Sequence, residues 1–376
     1  MVEKVLVTGG AGFIGSHIVD ALVEKGLQVR VFDNLTPQVH GKEQKIPAYL
    51  NQNIEFILGD VRDYYALSKV LKDVDVVFHE AAAVGVGQSM YQIKQYVETN
   101  TMGAANLLHF VANEKHKIRK MIVASSMSVY GEGKYDCLKC GPSFPFLRPL
   151  AQLQKRQWEM RCEICGEPMT PLPTDEKKPM YPTSIYAITK RDHEEMFLAT
   201  GFALRIPVIA LRYFNVYGTR QALSNPYTGV CAIFSSRLLN GNAPVIFENG
   251  LQTRDLTHVS DIVQANMLAL EAGKQADFQV FNVGTGKALS VLDVARALQN
   301  LLGKTEIKFD LPNKFRAGDI RHCFADISKI KRILNFSPKV DFNEGVKELV
   351  KWVSLQQAED RVIEASREME NKKLIF

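Results

Sequence analysis

The stretch "KVLVTGGAGFIGSHIVDALVEKG" near the amino terminus constrains the fold more than any other in the chain. A β-rich run leads into Gly9, Gly12 and Gly15, and apolar residues at helical spacing follow until Gly26. Gly9 permits the tight turn, Gly12 lets a ligand's phosphates approach the backbone, and Gly15 lets helix and strand pack closely. Phe13 and Ile14 open the helix, whose free N–H groups and positive dipole end suit an anion. Such a turn belongs to a βαβ unit, which implies a parallel sheet.

The next strand, "QVRVFD", ends at Asp33, 18 residues after Gly15. A carboxylate there can take both hydroxyls of an adenine ribose and repels a 2′-phosphate, so the pattern implies NAD rather than NADP. Asn34 follows it, and "GDVRD" places Asp60 and Val61 at the end of another strand, within reach of the adenine. "VDVVFHEAA" and "RKMIVASS" supply further strands, with a helix predicted over roughly 91–114 between them. Continuous apolar strands alternating with helices predict a Rossmann-type, doubly wound α/β sheet over 1–218. Pro- and Gly-punctuated segments then predict a smaller mixed α/β substrate domain over 219–376, with 255–275 returning to the first domain. Helices are predicted at 260–272 and 290–302 and over most of 342–373.

Apolar residues make up 46% of the 376 and charged ones 23%, as in ordinary soluble proteins. The net charge of +5 is spread along the chain and calls for no polyanion, so no nucleic-acid partner is expected. No apolar run is long enough for a membrane span and no leader precedes the first strand, so a cytoplasmic protein is expected.

"SIYAITKRDHEE" places Tyr186 and Lys190 one helical turn apart on one face. A phenol ionises near pH ~10, and bringing it to ~7 takes ~4 kcal/mol of differential stabilisation. A neighbouring ammonium and the positive ring of an oxidised nicotinamide can supply it. "VASSMSVYG" puts Ser125, Ser126 and Ser128 at the carboxyl edge of the sheet, where open α/β folds bind ligands.

With these residues together the chain resembles the extended short-chain dehydrogenases/reductases, and among them the NAD-dependent nucleotide-sugar epimerases. The resemblance runs through Thr8–Gly15, Asp33-Asn34-Leu35, "HEAA" at 79–82, Asn100, "SSMSVYG", Tyr186 and Lys190. It continues through "LRYFNVYG" at 211–218, "RDLTHVSD" at 254–261, "NVGTG" at 282–286 and "RAGDIRH" at 316–322. It implies Ser126, Tyr186 and Lys190 as the catalytic set, and Ala81, Ala82, Ala83 and Asn100 as part of the NAD site. Tyr213, Asn215 and Val216 would lie near the nicotinamide and the first substrate phosphate. Arg254 and Arg316 would clamp a diphosphate, and Asp319 would meet the nucleoside ribose; guanidinium forks suit phosphate oxygens. Family members dimerise through helices matching 91–114 and 185–200, so a homodimer is expected.

The reaction expected is C4 epimerisation through a 4-keto sugar. Dehydratases and decarboxylases of the family carry carboxylates just after the catalytic hydroxyl, where this chain has Met127 and Ser128, neither of which can act as an acid or base there. Those activities, and a non-catalytic NAD-binding role, remain as alternatives.

Between Tyr130 and Tyr186 the chain carries an insert, 134–172, with Cys137, Cys140, Cys162 and Cys165. Two C-x2-C pairs 21 residues apart, each followed by Gly (Gly141, Gly166), predict a zinc-ribbon-like knuckle. Four thiolates leave no open coordination position, so the zinc would be structural. Arg148, Lys155, Arg156 and Arg161 between the pairs read as a solvated basic face, and Cys231 and Cys323 as buried inert thiols. Epimerases of the family acting on dTDP-L-rhamnose carry a similar insert and the "ALSNPYTG" found at 222–229. The resemblance therefore implies a dTDP-6-deoxyhexose substrate, with UDP-hexoses as the alternative.

Overall fold

A computed structural model describes residues 3–316 and 318–376. Its centre is a seven-stranded, wholly parallel sheet of β1 (Lys4–Thr8), β2 (Gln28–Asp33), β3 (Glu55–Leu58), β4 (Val76–His79), β5 (Lys120–Ser126), β6 (Val208–Tyr213) and β7 (Gln279–Val283). Their spatial order is β7-β6-β5-β4-β1-β2-β3. The order reverses between β1 and β4, which opens a crevice at the carboxyl ends of these strands. Both faces are covered, so the central strands are apolar almost throughout; every residue of β5 and β6 is buried.

The glycine turn is enforced by space. Gly9 has φ +70°, and a Cβ there would lie 2.7 Å from the Ala81 nitrogen. A Cβ on Gly15 would lie 2.2 Å from the Gly9 carbonyl oxygen. The chain also returns late to the sheet: β7 forms one of its two edges, and the Val259–Glu271 helix packs on the Phe13–Glu24 helix, with Ile262, Ala265, Ile18 and Val19 in one buried core.

A second core, including Tyr217, Phe234, Leu238, Leu298 and Leu349, holds the smaller region together. Its helices are Val230–Leu239, Val291–Leu301, Phe342–Val353 and Val362–Asn371. The insert forms an antiparallel three-stranded sheet of Lys134–Cys137 between Gly141–Ser143 and Thr170–Leu172, over a small core of Tyr135, Met160 and Met169.

The helix predicted over 91–114 is divided into α-helical Ile93–Tyr96, a π-helical segment Val97–Met102 and α-helical Gly103–Asn113. Within it the Asn100 carbonyl accepts from the Gly103 backbone N–H and also from His193 Nε2 at 2.9 Å. Arg148 is no part of a solvated face: it is buried, with both terminal nitrogens on Glu248 at 3.0 and 2.7 Å.

Candidate active site

A cavity of about 650 Å³ follows the crevice from the glycine turn into the smaller region. Of the residues singled out for ligand binding or catalysis, all but Asp60 and Asn100 line it. Asp60 is engaged elsewhere: burial pushes its carboxyl up, but bonds from Arg62 and Asn34 outweigh this and lower it. Asn100 stands behind the wall, fully buried. Its Oδ1 accepts from the Ala83 nitrogen at 2.7 Å and its Nδ2 donates to Thr189 Oγ1 at 2.9 Å.

At one end, Gly12 begins the Phe13–Glu24 helix with no side-chain cap, so the first N–H groups face the cavity without a protein partner from a side chain. A Cβ at Gly12 would come within 3.3 Å of the Gly9 carbonyl oxygen and meet nothing else. Asp33 Oδ2 accepts from the Ala11 nitrogen at 3.0 Å and Oδ1 from the Leu35 nitrogen at 2.9 Å. A carboxylate offers about four lone-pair positions, so sites remain for ribose hydroxyls. The open helix start, the bare glycine and the carboxylate fit NAD.

At the middle stands the catalytic candidate set. Ser184 caps the Ile185–Leu204 helix, its Oγ accepting from the Ala187 nitrogen at 3.1 Å. Tyr186 therefore sits in the first turn, where the helix dipole favours an anion. Burial pushes the phenol up to about 12, opposed by the Ser126 hydroxyl beside it. Ser126 ends β5, and its Oγ accepts from Ser128 Oγ at 2.9 Å, leaving its own proton free to donate. Lys190 Nζ donates to the Ala124 carbonyl oxygen at 2.8 Å. Burial lowers this ammonium to about 8, with Glu80 opposing.

Glu80 was not marked by any sequence motif beyond its place in "HEAA". Its Oε1 accepts from the Tyr213 hydroxyl at 3.0 Å. Burial pushes it up to about 7, against Lys190 and Tyr213. Only a long-range contact reveals it.

At the far end, Arg254 donates to three carbonyl oxygens, of Thr253 at 2.8 Å, Arg321 at 3.0 Å and Ile320 at 2.8 Å. Of its five N–H groups two are left for a ligand. Arg316 lies over the Phe247 ring at 4.5 Å and its Nε donates to Asp319 Oδ2 at 3.0 Å, so two candidate ligand contacts hold each other. Asn215 Oδ1 is buried without a partner among the described residues, an orphaned polar atom at the cavity wall.

In the insert, the four sulfurs of Cys137, Cys140, Cys162 and Cys165 lie within 4.8 Å of one another and form no disulfide. Four thiolates around a tetrahedral zinc would stand about 3.8 Å apart at bonds of ~2.3 Å. Cys137 and Cys165 are already 3.5 Å apart. Hydrogen bonds from the backbone N–H groups of Cys165 and Ile164 lower the Cys162 thiol to about 7. The donor set fits a thiolate-loving metal.

The parallel sheet, the glycine turn and the serine–tyrosine–lysine grouping define a dinucleotide-dependent enzyme of the short-chain dehydrogenase/reductase type. Family models agree: residues 5–147 match the NAD dependent epimerase/dehydratase family and residues 163–349 match GDP-mannose 4,6 dehydratase. The chain is 33% identical to dTDP-L-rhamnose 4-epimerase of Burkholderia thailandensis over 94% of its own length and 95% of the relative's. The fold is similar to UDP-N-acetylglucosamine 4-epimerase from Methanobrevibacter ruminantium in complex with UDP-N-acetylmuramic acid. That match has TM-score 0.75 and 33% identity over 95% of this chain and 100% of the other. It is also similar to UDP-glucuronic acid 4-epimerase from Bacillus cereus in complex with UDP-glucuronic acid and NAD. Here the TM-score is 0.73 and the identity 29%, over 93% and 99%. The chain belongs to the NAD-dependent epimerase/dehydratase family. No helix among the described residues is long and apolar enough to cross a membrane.

Proposed function

We propose that the protein epimerises a nucleoside diphosphate sugar at C4, with Ser126, Tyr186 and Lys190 as its catalytic residues. The observation that carries this is the convergence of the three on one cavity, with Met127 and Ser128 following Ser126. A hydroxyl and a thioether cannot act as the acid or base that loss of water or carbon dioxide needs at those positions. Tyr186 takes the proton of the sugar 4-hydroxyl while Ser126 donates to the same oxygen. Lys190 holds positive charge beside the phenolate. NAD bound there would supply the acceptor and donor of a hydride at C4. For inversion at C4 the keto sugar must present its other face to that donor, within the cavity that Ser126, Tyr186 and Lys190 line.

Gly9, Gly12 and Asp33 would hold the dinucleotide; Arg254, Arg316 and Asn215 would hold the diphosphate, and Asp319 the nucleoside. The domains proposed are 1–218 for the cofactor, including the insert at 134–172, and 219–376 for the sugar nucleotide, with 255–275 packed back on the first. One structural zinc would occupy the four cysteines, in keeping with free thiols in a reducing cytoplasm. Ile93, Val97, Met102 and Ile188 are exposed on the two helices proposed to form a homodimer contact.

The substrate proposed is dTDP-L-rhamnose or a related dTDP-6-deoxyhexose. Support comes from the relative named for that activity and from the insert. UDP-glucose and its derivatives are the second reading, favoured by the UDP-sugar enzymes among the similar structures. Each sugar nucleotide is incubated with enzyme and followed by NMR of the anomeric protons. One new sugar, reached from either side in the same final ratio, is expected. Release of water or carbon dioxide overturns the mechanism.

A further inference from the structure

The insert does more than close on its own cysteines. Glu159, half-exposed at its inner side, accepts from Arg321 Nε at 3.2 Å and pairs with His322 Nε2 at 3.1 Å. Arg321 is fully buried, and its Nη1 donates to Glu248 Oε2 at 2.8 Å. Glu248 is the same carboxylate that receives the Arg148 fork from the insert. Its backbone is in the left-handed region, φ +55°, a conformation retained where the surroundings fix it. Glu132, on the segment leaving the catalytic serine, accepts from the Arg321 and His322 backbone nitrogens at 2.8 Å each.

The segment gripped in this way is the one that carries the far end of the cavity. Arg148 Nη2 donates to the Asp319 carbonyl oxygen at 3.3 Å. The Ile320 and Arg321 carbonyls orient the Arg254 guanidinium. Arg148, Glu248 and Arg321 are buried and joined through their terminal nitrogens and both carboxylate oxygens, with only the Arg148 Nε unpartnered among the described residues. Displacing any of the three therefore strands a charge in a low-dielectric interior. We propose that the cysteine insert is a positioning element for the nucleoside-diphosphate end of the site. It acts through Arg148 and Glu159 on Glu248 and Arg321, and through them on Arg254, Arg316 and Asp319. The inference rests on the reading of those last three as ligand contacts.

The test uses the purified full chain, with UDP and dTDP as calorimetric probes. Glu159→Gln keeps shape and removes charge at a half-exposed position, and Arg148→Lys keeps charge and removes the fork. Each is expected to weaken nucleotide binding by about tenfold, as misplacement of positioning groups does, and to raise KM by the same factor. The kcat at saturation and the NAD retained per chain are expected to stay at the wild-type values. Folded variants with wild-type nucleotide affinity overturn the inference alone. Parallel losses of NAD, kcat and affinity also overturn it, because they mark a merely structural role. Wild-type protein that binds neither nucleotide overturns the functional reading and this inference with it.

Discussion

The Tyr213 hydroxyl donates to Glu80 at 3.0 Å while accepting from Asn266 Nδ2 at 2.8 Å. Asn266 thus fixes the direction of the phenolic proton and aims it at the carboxylate. Glu80 in turn opposes the loss of charge that burial imposes on Lys190. The cavity therefore carries, beside the catalytic candidates, a carboxyl that burial pushes up to about 7 and an ammonium that it lowers to about 8.

This pairing predicts a pH-dependent cost for Glu80→Gln. Below about pH 7 Glu80 is largely protonated and the neutral amide resembles it, so turnover should match wild type near pH 6. At pH 8 the wild-type carboxylate is charged and supports the ammonium. The variant loses that support, and turnover should fall by roughly threefold to tenfold, a fraction to one unit of the Lys190 equilibrium. A pH series of kcat on both proteins checks this. A ratio constant from pH 6 to 8 would show that Glu80 does not act on Lys190.

Tyr186→Phe should abolish turnover and leave bound NAD in place, since it removes only the proton acceptor. Lys190→Ala should be costlier at pH 7 than at pH 9. The sign follows from the direction of the shift: Lys190 is lowered to about 8, so it is charged at pH 7 and mostly neutral at pH 9. At pH 9 the wild type has itself lost most of what the variant lacks. Because burial holds the phenol up at about 12, positive charge near it is needed most at neutral pH. Equal losses at both pH values would remove Lys190 from the ionisation of Tyr186.

Sequence alone makes the local parts of this site legible. The turn at Gly9–Gly15 and the Tyr186–Lys190 spacing are written within a few residues of one another, and period and sterics suffice to read them. What escapes it is made by partners far apart in the chain. Arg148 reads as one of four basic residues on a surface, yet it is buried on a carboxylate 100 positions away. Asp60 reads as an adenine contact, and the structure sets it on Asn34, 26 positions away, as well as on Arg62. The helix over 91–114 reads as one continuous helix. Its π segment carries the Asn100 carbonyl that also meets His193, on another helix, 93 positions away. Glu80 shows the same limit, since its significance lies in Tyr213, 133 positions on.

Asp33 yields a prediction about cofactor choice. Both of its oxygens already accept backbone N–H groups, from Ala11 and Leu35, so the charge holds the glycine turn as well as facing the cavity. Wild-type protein should prefer NAD over NADP by at least about tenfold, the 2′-phosphate being repelled. Asp33→Asn keeps one carbonyl acceptor and turns an NH2 group toward an N–H donor, so the turn loosens. Less NAD should remain after purification, measured as dinucleotide released on denaturation. Wild-type preference for NADP would contradict the role given to Asp33.

The four thiols give the last prediction. Their sulfurs lie within 4.8 Å of one another, with backbone N–H groups already favouring the thiolate of Cys162. Metal analysis should find about one zinc per chain, because a closed set of four thiolates satisfies a tetrahedral ion. The insert's own core is small, built on Tyr135, Met160 and Met169 with the buried cysteines. Few apolar contacts are available to hold its two hairpin tips together, and the metal should supply much of their stability, as in other small metal-folded units. Chelation, or Cys162→Ser, should therefore lower the melting temperature by several degrees and release the zinc. The sheet beneath is built from separate cores, so NAD should stay bound while the insert loosens. If a protein with all four cysteines changed to serine melts and turns over like wild type, the cluster braces nothing. If it loses NAD in step with its zinc, the insert supports the whole fold rather than one wall of the site.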